Sequence, residues 1–322
     1  ASAPVERLWI SSLTQEAIQN GFRQLRPMAD FDALSDAAKA RSRADWLVGM
    51  NLSRAYSITY GEHFSVGRVQ TPTLSILASR EKDIQNFKPE DYWEIKGDFA
   101  PSADESKFEA QLWDYKEKRA QRFKSADEAQ ALRDELAQEK VKVSELVERK
   151  VPVQPPLLYD LTELQRHCNR LFGYKAQKTL EIAQSLYESK KAISYPRTDS
   201  RHLSHDVAKN LDSICDKLSG RYEGNIHPST GGPLGKRFVD DAQVTDHHAI
   251  IPTGVNPGAL SADQEKVFDL ICRRFFMAWH DNYEYGSSKV VLCCGPVHKF
   301  VARGKRLIQL GGNVLEGFCG GF

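Results

Sequence analysis

Hydrophobic residues in the first part of the chain recur at the spacing of a helix. Over residues 14–25, Ile18, Phe22 and Leu25 lie three or four positions apart, and Thr14 stands before them as a cap. The same period predicts two longer helices, over residues 33–57 and 71–84. The first quarter of the chain is therefore expected to be helical.

From Tyr92 onward the pattern changes. Short segments rich in aromatic and β-branched residues predict strands over 92–99, 107–115, 140–147, 287–294 and 299–310. Ser125 and Glu128 fit a capping box that opens a helix between the second and third strands. Between the third and fourth strands come a helical block at 160–219, a loop rich in Gly and Pro at 224–260, and a helix from Ser261. Because sheet signals flank the helical block, we expect it to be inserted into a discontinuous β domain.

Composition limits the classes of function. A chain of 322 residues that is 41% hydrophobic can bury a large core and form roughly two or three domains. The 44 basic and 43 acidic side chains nearly cancel, so any nucleic-acid site has to be local. The six cysteines include no C-x-x-C pair, which favours neither a zinc ribbon nor a disulfide framework. No leader or membrane-length apolar run is evident, so we expect a protein of the reducing cytosol.

The segment "ISYPRTDSRHL" contains a candidate nucleophile, Tyr195. Pro196 biases the preceding residue toward an extended backbone, which is compatible with presenting the phenol in a cleft. A phenol needs a nearby cation to act on a phosphate, and Arg197 lies two residues away. The alternative is a loop tyrosine, with Arg197 in a surface ion pair with Asp199.

A second candidate segment is "FSVGRVQTPTLS", residues 64–75. Gly67 permits a close approach of the backbone, and Arg68 can donate to a phosphate. Thr71 is expected to cap the following helix, with Pro72 in its first turn, and a helix N-terminus attracts anions. The alternative is an ordinary tight turn before a helix.

The third candidate segment is "VTDHHAIIPTG", where His247 and His248 are adjacent. Neighbouring residues in an extended chain point to opposite sides, so one of the two histidines is expected to face a given site. No further ligands stand at a spacing suited to a metal, which favours a charge-carrying or hydrogen-bonding role over zinc.

Together these segments resemble type IA DNA topoisomerases, specifically the bacterial topoisomerase III subgroup. The resemblance rests on "RADWLVGMNLSRAYS", "SVGRVQTPTL", "LYDLTELQRHCNRLFGYKAQKTLEIAQSLYE", "ISYPRTDSRHL" and "DHHAIIPT", in this order. It implies that Tyr195 cleaves one DNA strand through a 5′-phosphotyrosine, and that another strand passes before resealing. Arg197 would stabilise the scissile phosphate and the phenolate. His247 or its neighbour His248 would contact the phosphate, and His247 is the better match to the family's histidine.

The resemblance also implies a groove for single-stranded DNA. Its implied DNA-binding residues are Arg43, Asn51, Arg54, Arg68, Gln70, Thr71, Thr162, Gln165, Thr198, Asp199, Ser200 and His248. For Thr162 and Gln165 an alternative exists, because "TELQ" also fits a capping box that starts a helix. A groove that holds a strand through its phosphates requires little base recognition, which agrees with a nearly neutral protein.

The resemblance further implies a mixed α and β, multidomain fold that forms part of a toroid. The expected parts are the tail of a missing Toprim domain at 1–16, a partial helical DNA-binding domain at 17–86, a β domain at 87–155 and 288–322, and a helical tyrosine domain at 156–287. Complete family members hold Mg²⁺ on carboxylates of the Toprim domain, so those ligands are expected to be absent here. We therefore expect a fragment that is impaired or inactive alone.

Three other functions can be weighed. A tyrosine recombinase would match the H-x-x-R pattern of His167 and Arg170, but would leave a 3′ rather than a 5′ link. A rolling-circle relaxase needs a His-apolar-His metal motif, which the adjacent histidines do not form. A non-catalytic fragment that binds single-stranded DNA remains an alternative for this chain. Expected partners are single-stranded DNA, a helicase and a single-strand-binding protein, without a membrane, in the cytoplasm at the nucleoid.

Overall fold

The computed structural model describes residues 3–10, 15–100, 102 and 106–316. Thr14, the predicted cap of the first helix, lies outside the described residues. The chain divides into two compact units, the first made of residues 1–9 and 19–92 and the second of residues 10–18 and 93–322. No helix among the described residues is long and apolar enough to cross a membrane.

The first unit is mainly helical, as its periodicity predicts. Its elements are the paired strands β1 (Glu6–Arg7) and β2 (Arg26–Pro27), part of helix α1 (Gln15–Arg23), a 3-10 turn (Met28–Phe31), and helices α2 (Asp32–Tyr60) and α3 (Gln70–Gln85). Helix α2 ends at Gly61, whose φ of +70° is the left-handed conformation that glycine adopts without strain. Phe31 is buried under the stacked ring of Trp9.

The N-cap of helix α3 lies two residues earlier than predicted. The N-cap is Val69, and Gln70 is the first residue of the helix, so the prediction that Thr71 caps the helix is wrong. The Thr71 hydroxyl instead accepts a hydrogen bond from the Gly67 N–H at 3.0 Å, which closes the preceding turn. Pro72 does lie in the first turn, where its missing N–H leaves no intrahelical bond unmade.

The second unit contains an antiparallel sheet of order β3-β4-β8-β7-β6, with a short strand β5 beside β4. Its strands are β3 (Lys96–Phe99), β4 (Phe108–Asp114), β5 (Arg119–Ala120), β6 (Val141–Val153), β7 (Tyr283–Cys294) and β8 (His298–Gln309). Helix α4 (Ala126–Leu136) shares one apolar core with this sheet, and Ser125 caps it by accepting from the Glu128 N–H. Each predicted strand is present.

Strand β7 begins five residues before the predicted domain boundary at 288. The early start arises because Tyr283 pairs with Val153, so that β7 continues the register of β6 to its end. Neighbouring strands of this sheet come from both sides of the helical block in the sequence, since β4 pairs with β8 and β6 pairs with β7. The exact domain limits remain a prediction.

The helical block contains α5 (Leu161–Phe172), α6 (Ala176–Glu188), α7 (His205–Ala208) and α8 (Leu211–Leu218), and is followed by α9 (Ala262–Phe276) and α10 (Asn313–Glu316). Within residues 160–219, all of which are described, β pairing is limited to isolated bridges at Ile193 and Leu203. Helix α9 begins after Ser261, as predicted, with a capping box formed by Ser261 and Gln264, and about half of its residues are buried. Its buried residues form the centre of the unit's larger core.

The cap of α5 differs from the prediction. Asp160 is the N-cap, and its carboxylate accepts from the Glu163 N–H at 2.6 Å. Thr162 is therefore the second residue of the helix, and the interpretation of "TELQ" as a capping box is wrong. An aspartate at this position both satisfies a free N–H and interacts favourably with the positive end of the helix dipole.

Candidate active site and nucleic-acid interface

Two extended segments lie side by side and form the base of the candidate site. Ser194 donates its N–H to the Ile251 carbonyl at 2.9 Å and its hydroxyl to the Ala249 carbonyl at 3.0 Å. Ile193 forms a bridge with Pro252. These bonds pair the "ISYPRTDS" segment with "AIIPT", so the residues that flank each segment are brought close together.

Tyr195 is half-buried between two other rings. The centroid of its ring lies 4.4 Å from that of His247, at an angle of 52°. Tyr187, on helix α6, contacts it edge-on at 5.3 Å. The buried Pro196 follows directly. Tyr195 lies outside any helix, as the proline after it predicted. The ring is thus held in one place beside an imidazole.

Arg197 is exposed and is held by helix α6. Its Nη2 donates to Gln184 Oε1 at 3.1 Å, and Gln184 in turn donates to Glu188 at 3.2 Å. Asp199 accepts a hydrogen bond from Thr245 at 2.5 Å. The Arg197–Asp199 ion pair considered as an alternative is not found among the described residues. The guanidinium is therefore oriented by an uncharged side chain, which leaves its positive charge unneutralised.

The hydroxyl groups that follow Arg197 are used inside the protein. Thr198 Oγ1 donates to the His247 carbonyl at 2.8 Å and accepts from the Ser200 N–H at 3.1 Å. Ser200 Oγ donates to the Gln243 carbonyl at 2.8 Å. Both residues are buried. In this structure their bonds position the histidine loop against the tyrosine segment, and a direct contact of either with DNA remains a prediction.

The adjacent histidines have different surroundings. His247 packs against Tyr195, whereas His248 donates from Nδ1 to the Ala249 carbonyl at 2.8 Å. Burial lowers the pKa of His248, which favours its neutral form. His247 is accordingly the histidine whose ring meets the candidate nucleophile.

The predicted residues on α5 lie at its first turns. Thr162 is exposed, and Gln165 donates to the Ala176 carbonyl at 3.1 Å across the α5–α6 connection. His167, on the same helix, is engaged by Tyr159 and Arg274, which supplies a structural reason for the histidine of the H-x-x-R pattern.

All predicted groove residues of the first unit are exposed, namely Arg43, Asn51, Arg54, Arg68, Gln70 and Thr71. Arg68 forms an ion pair with Asp45 at 3.0 Å, and Gln70 donates to Ser65 at 2.9 Å. Asn51 donates to the Leu47 carbonyl of its own helix. Arg43 and Arg54 are eleven residues apart on α2, which places them three turns apart on one face.

Sequence reasoning missed two serines that hold the loop before α3. Ser53 Oγ accepts from the Val66 N–H at 3.0 Å, and Ser57 Oγ accepts from the Phe64 N–H at 2.9 Å. A signal for these contacts exists in the sequence, because the two serines lie one helical turn apart and therefore on the same face of α2. They fix the backbone that carries Gly67 and Arg68.

The described residues contain no cluster of three or more His, Cys, Asp or Glu side chains suited to a metal ion. The carboxylates of the candidate site are engaged in other bonds, Asp199 with Thr245 and Glu188 with Gln184. The residues around Tyr195 thus form a site of a phenol, an imidazole and a guanidinium.

Comparison with known proteins gives consistent matches. The model of the DNA topoisomerase family matches residues 29–314. DNA topoisomerase 3 of Bacillus cereus is 38% identical over 313 residues, and that of Bacillus licheniformis is 39% identical over 324 residues. These matches cover 96% and 98% of this chain, and 42% and 43% of the relatives' length. The chain thus spans less than half of these relatives.

The fold also matches a solved structure. Full-length topoisomerase I from Thermotoga maritima has a TM-score of 0.67 and 23% sequence identity, with 97% of this chain and 50% of that protein covered. At this identity the likeness concerns the fold alone. The family match and the Bacillus relatives establish that the chain belongs to the type IA DNA topoisomerase family, in its bacterial topoisomerase III group.

Proposed function

We propose that this chain carries the strand-cleaving tyrosine of a type IA DNA topoisomerase. The Tyr195 oxygen attacks a phosphodiester of single-stranded DNA and forms a bond to phosphorus, and the bond to the 3′-oxygen breaks. The phenol loses its proton, and the leaving 3′-oxygen gains one, so the products are a 5′-phosphotyrosine and a free 3′-hydroxyl. A second strand passes through the break before the reverse reaction reseals it.

The observation that carries this proposal is the fixed placement of Tyr195. Its ring is held between His247 and Tyr187, in a segment whose neighbours Ser194 and Thr198 are both bound to the histidine loop. A nucleophile held in this way loses little freedom when it meets a phosphate. The family assignment adds that the segment lies in the part of the chain shared with DNA topoisomerases.

Two side chains near Tyr195 stabilise the negative charge of the reacting phosphate. Arg197 has a free positive charge and supports the negative charge that develops on the phosphoryl oxygens and the phenolate. His247 offers a hydrogen bond to the same phosphate. Gln184 and Tyr187 position these groups from α6, and they do not themselves react.

Binding of the DNA strand is proposed to occur through its phosphates. Arg43, Arg54 and Arg68 are exposed in the first unit, and helix α3 begins beside Arg68. In the second unit, Thr162, Gln165 and Asp199 are proposed to contact DNA. Such contacts give little sequence preference and make binding sensitive to salt.

The proposed cofactor is Mg²⁺, which would assist phosphoryl transfer by neutralising charge. The described residues do not fit a magnesium site, because no cluster of carboxylates is present among them. We propose that its ligands belong to a Toprim domain within the length that the Bacillus relatives have beyond this chain. The proposed setting is the bacterial cytoplasm at the nucleoid, with a helicase and a single-strand-binding protein as partners.

Relaxation of negatively supercoiled plasmid tests this function. The assay uses the sequence extended to the length of its relatives, with Mg²⁺ supplied. Tyr195→Phe removes only the hydroxyl, so relaxation should be abolished while binding of single-stranded DNA is retained. Tyr187→Phe is the matched control and should keep activity, because its ring contact with Tyr195 is preserved. Relaxation by the Tyr195→Phe protein would refute the proposed function.

A further inference from the structure

One face of the β sheet of the second unit packs against α4, and the opposite face carries many basic side chains around the buried Val291 and Val301. Phe300 and Leu292 point to the side that shares a core with α4. Because side chains alternate along a strand, residues 299, 303 and 305 of β8 lie on the opposite side. The residues of β7 that pair with these positions, and the residues of β6 that pair with β7 in turn, lie on the same side. We call it the basic face, and its cations are Lys142, Arg149, Lys289, Lys299, Arg303 and Lys305.

Most of this charge is not neutralised. On strands β6, β7 and β8, which are described throughout, the pairing places a single carboxylate on the basic face, that of Glu145, and it forms an ion pair with Lys289 at 3.6 Å. On the neighbouring β4, Glu109 is bound to Lys96 at 2.9 Å, and Asp98 lies farther out on the edge strand β3. The remaining cations give the face a net positive charge in a chain whose total is +1.

Each of the three β8 cations of the basic face lies over an aromatic ring. Arg303 is 4.5 Å from the ring centroid of Trp113, Lys305 is 4.9 Å from that of Tyr285, and Lys299 is 5.1 Å from that of Tyr115. Within the described part of the chain, none of the three cations forms an ion pair with a carboxylate. Tyr115 is 47% exposed. Cations that alternate with accessible rings are the combination used to hold phosphates and to stack bases of single strands.

We propose that the basic face binds single-stranded nucleic acid at a site distinct from the residues around Tyr195. Its cations hold successive phosphates, and bases stack on Trp113, Tyr115 and Tyr285. Lys299 and Lys305 are six residues apart, or about 20 Å along the strand. That length fits on the order of four nucleotides, at the lower end of the site sizes of β-rich single-strand binders. DNA and RNA share the required chemistry.

Photocrosslinking locates such a site directly. The full chain is irradiated with oligo(dT) or oligo(U) that contains 5-iodouracil, and crosslinked peptides are identified by mass spectrometry. The site predicts crosslinks at Trp113, Tyr115 or Tyr285 with at least one of the two oligonucleotides, and comparison of the two shows which sugar is preferred. Crosslinks confined to other peptides would overturn the proposal.

Two arginines of β8 supply a matched pair of variants. Arg303→Gln should lower the crosslink yield at the three rings severalfold and decrease the slope of log K against log salt, with K taken from a titration of that yield, by about 0.7. Arg306→Gln removes the same charge three positions away, on the opposite side of the strand where Arg306 is also exposed, and should leave both unchanged. Equal effects of the two variants would indicate general attraction and would refute a site.

A third variant tests stacking. Tyr115→Leu keeps an apolar side chain of similar size but removes the ring, and it should weaken the crosslinking-competent complex roughly tenfold. If Tyr115→Leu leaves the complex unchanged and polyglutamate also displaces the oligonucleotide, the basic face binds any polyanion, such as an acidic protein. That outcome would contradict the proposal. Tyr195→Phe should leave these crosslinks intact, so a failure of the cleavage function and a failure of this site are distinguishable.

Discussion

Helix α6 provides two side chains around the candidate nucleophile. Tyr187 contacts the ring of Tyr195, and Gln184, one turn earlier, accepts from Arg197. An amide fixes the direction of a guanidinium without neutralising it, whereas a carboxylate would reduce its attraction for a phosphate. This arrangement makes Gln184 a positioning residue for Arg197.

We expect Arg197→Ala to slow DNA cleavage by on the order of 10² to 10³, because one preorganised charge at the phosphoryl group is lost. Gln184→Ala leaves the charge but frees the guanidinium, so a smaller decrease is expected. Gln177→Ala is its control, since Gln177 lies two turns earlier on α6 and bonds to Glu181 as Gln184 bonds to Glu188. Single-turnover cleavage rates measure all three. Equal rates for the two glutamine variants would contradict the positioning role.

A second network of polar contacts joins His167, Tyr159 and Arg274. His167 Nδ1 contacts the hydroxyl of Tyr159 and lies 3.4 Å from Arg274 Nη2. Arg274 lies over the Tyr159 ring and donates to the Leu157 carbonyl at 3.0 Å. An arginine can only donate, so Nδ1 of the imidazole acts as an acceptor and the ring is neutral. Burial, followed by the charge of Arg274, lowers the pKa of His167 to about 4.

This pKa predicts an acid-sensitive contribution to stability. The unfolded histidine binds a proton near pH 6.5 and the folded one near pH 4, so stability is complete above 6.5 and decreases as pH falls through that window. The decrease between pH 7.5 and 5 is on the order of 1 kcal/mol, because partial exposure of the ring to solvent weakens the effect. His167→Asn should flatten the pH dependence of urea unfolding, whereas His63→Asn, at an exposed site, should not. An unchanged profile in His167→Asn would show that the histidine does not titrate in this way.

At the scale of elements, the cap of α5 connects local structure to the site. Asp160 holds the first turn, and the next residue, Leu161, donates its N–H to the Thr198 carbonyl at 3.1 Å. The start of the helix is therefore joined to the segment that follows Arg197. Loss of the cap is expected to loosen both.

Asp160→Ala should lower the free energy of unfolding by about 1 kcal/mol, because a capping acceptor is lost. Asp160→Asn should retain most of the stability, since an amide oxygen also caps. Thr162→Ala, at an exposed position inside the helix, is expected to stay within about 0.5 kcal/mol of the parent. Chemical denaturation compares the three. A larger loss of unfolding free energy in Thr162→Ala than in Asp160→Ala would indicate that Thr162, and not Asp160, caps the helix.

Elements with strong local signals could be predicted from the sequence. The helix that begins after Ser261, the strands of the sheet and the helical block follow from hydrophobic period and turn chemistry. The contacts of Gln184 and Tyr187 could not, because they arise when separate segments pack together. Sequence also does not distinguish two adjacent arginines on α9, of which Arg273 pairs with Asp269 and Arg274 is buried against Tyr159.

At the scale of the whole molecule, charge is locally organised. The first unit exposes arginines of α2 and the loop before α3, and the second exposes the basic face of its sheet, while the total charge is only +1. The chain spans about 42% of the length of its Bacillus cereus relative. We therefore expect the chain to bind single strands, and expect metal-dependent resealing to require the additional length.

Salt dependence tests the proposed groove in the first unit. Arg68→Ala should weaken binding of single-stranded DNA and reduce the slope of log K against log salt by about 0.7, because one phosphate contact is lost. Arg80→Ala removes another exposed charge farther along α3 and should leave the slope nearly unchanged. Fluorescence anisotropy across a salt series measures both. An unchanged slope in Arg68→Ala would place Arg68 outside the groove.

The proposed reaction links Tyr195 covalently to the 5′ side of a DNA break. The most direct measurement traps the reaction of the protein, extended to the length of its relatives and supplied with Mg²⁺, on single-stranded oligonucleotides labelled at either end. In a denaturing gel, the label on the fragment that carries the 5′-phosphate should remain with the protein, and Tyr195→Phe should form no adduct. An adduct through a 3′-phosphate, or one that persists in Tyr195→Phe, would contradict the account.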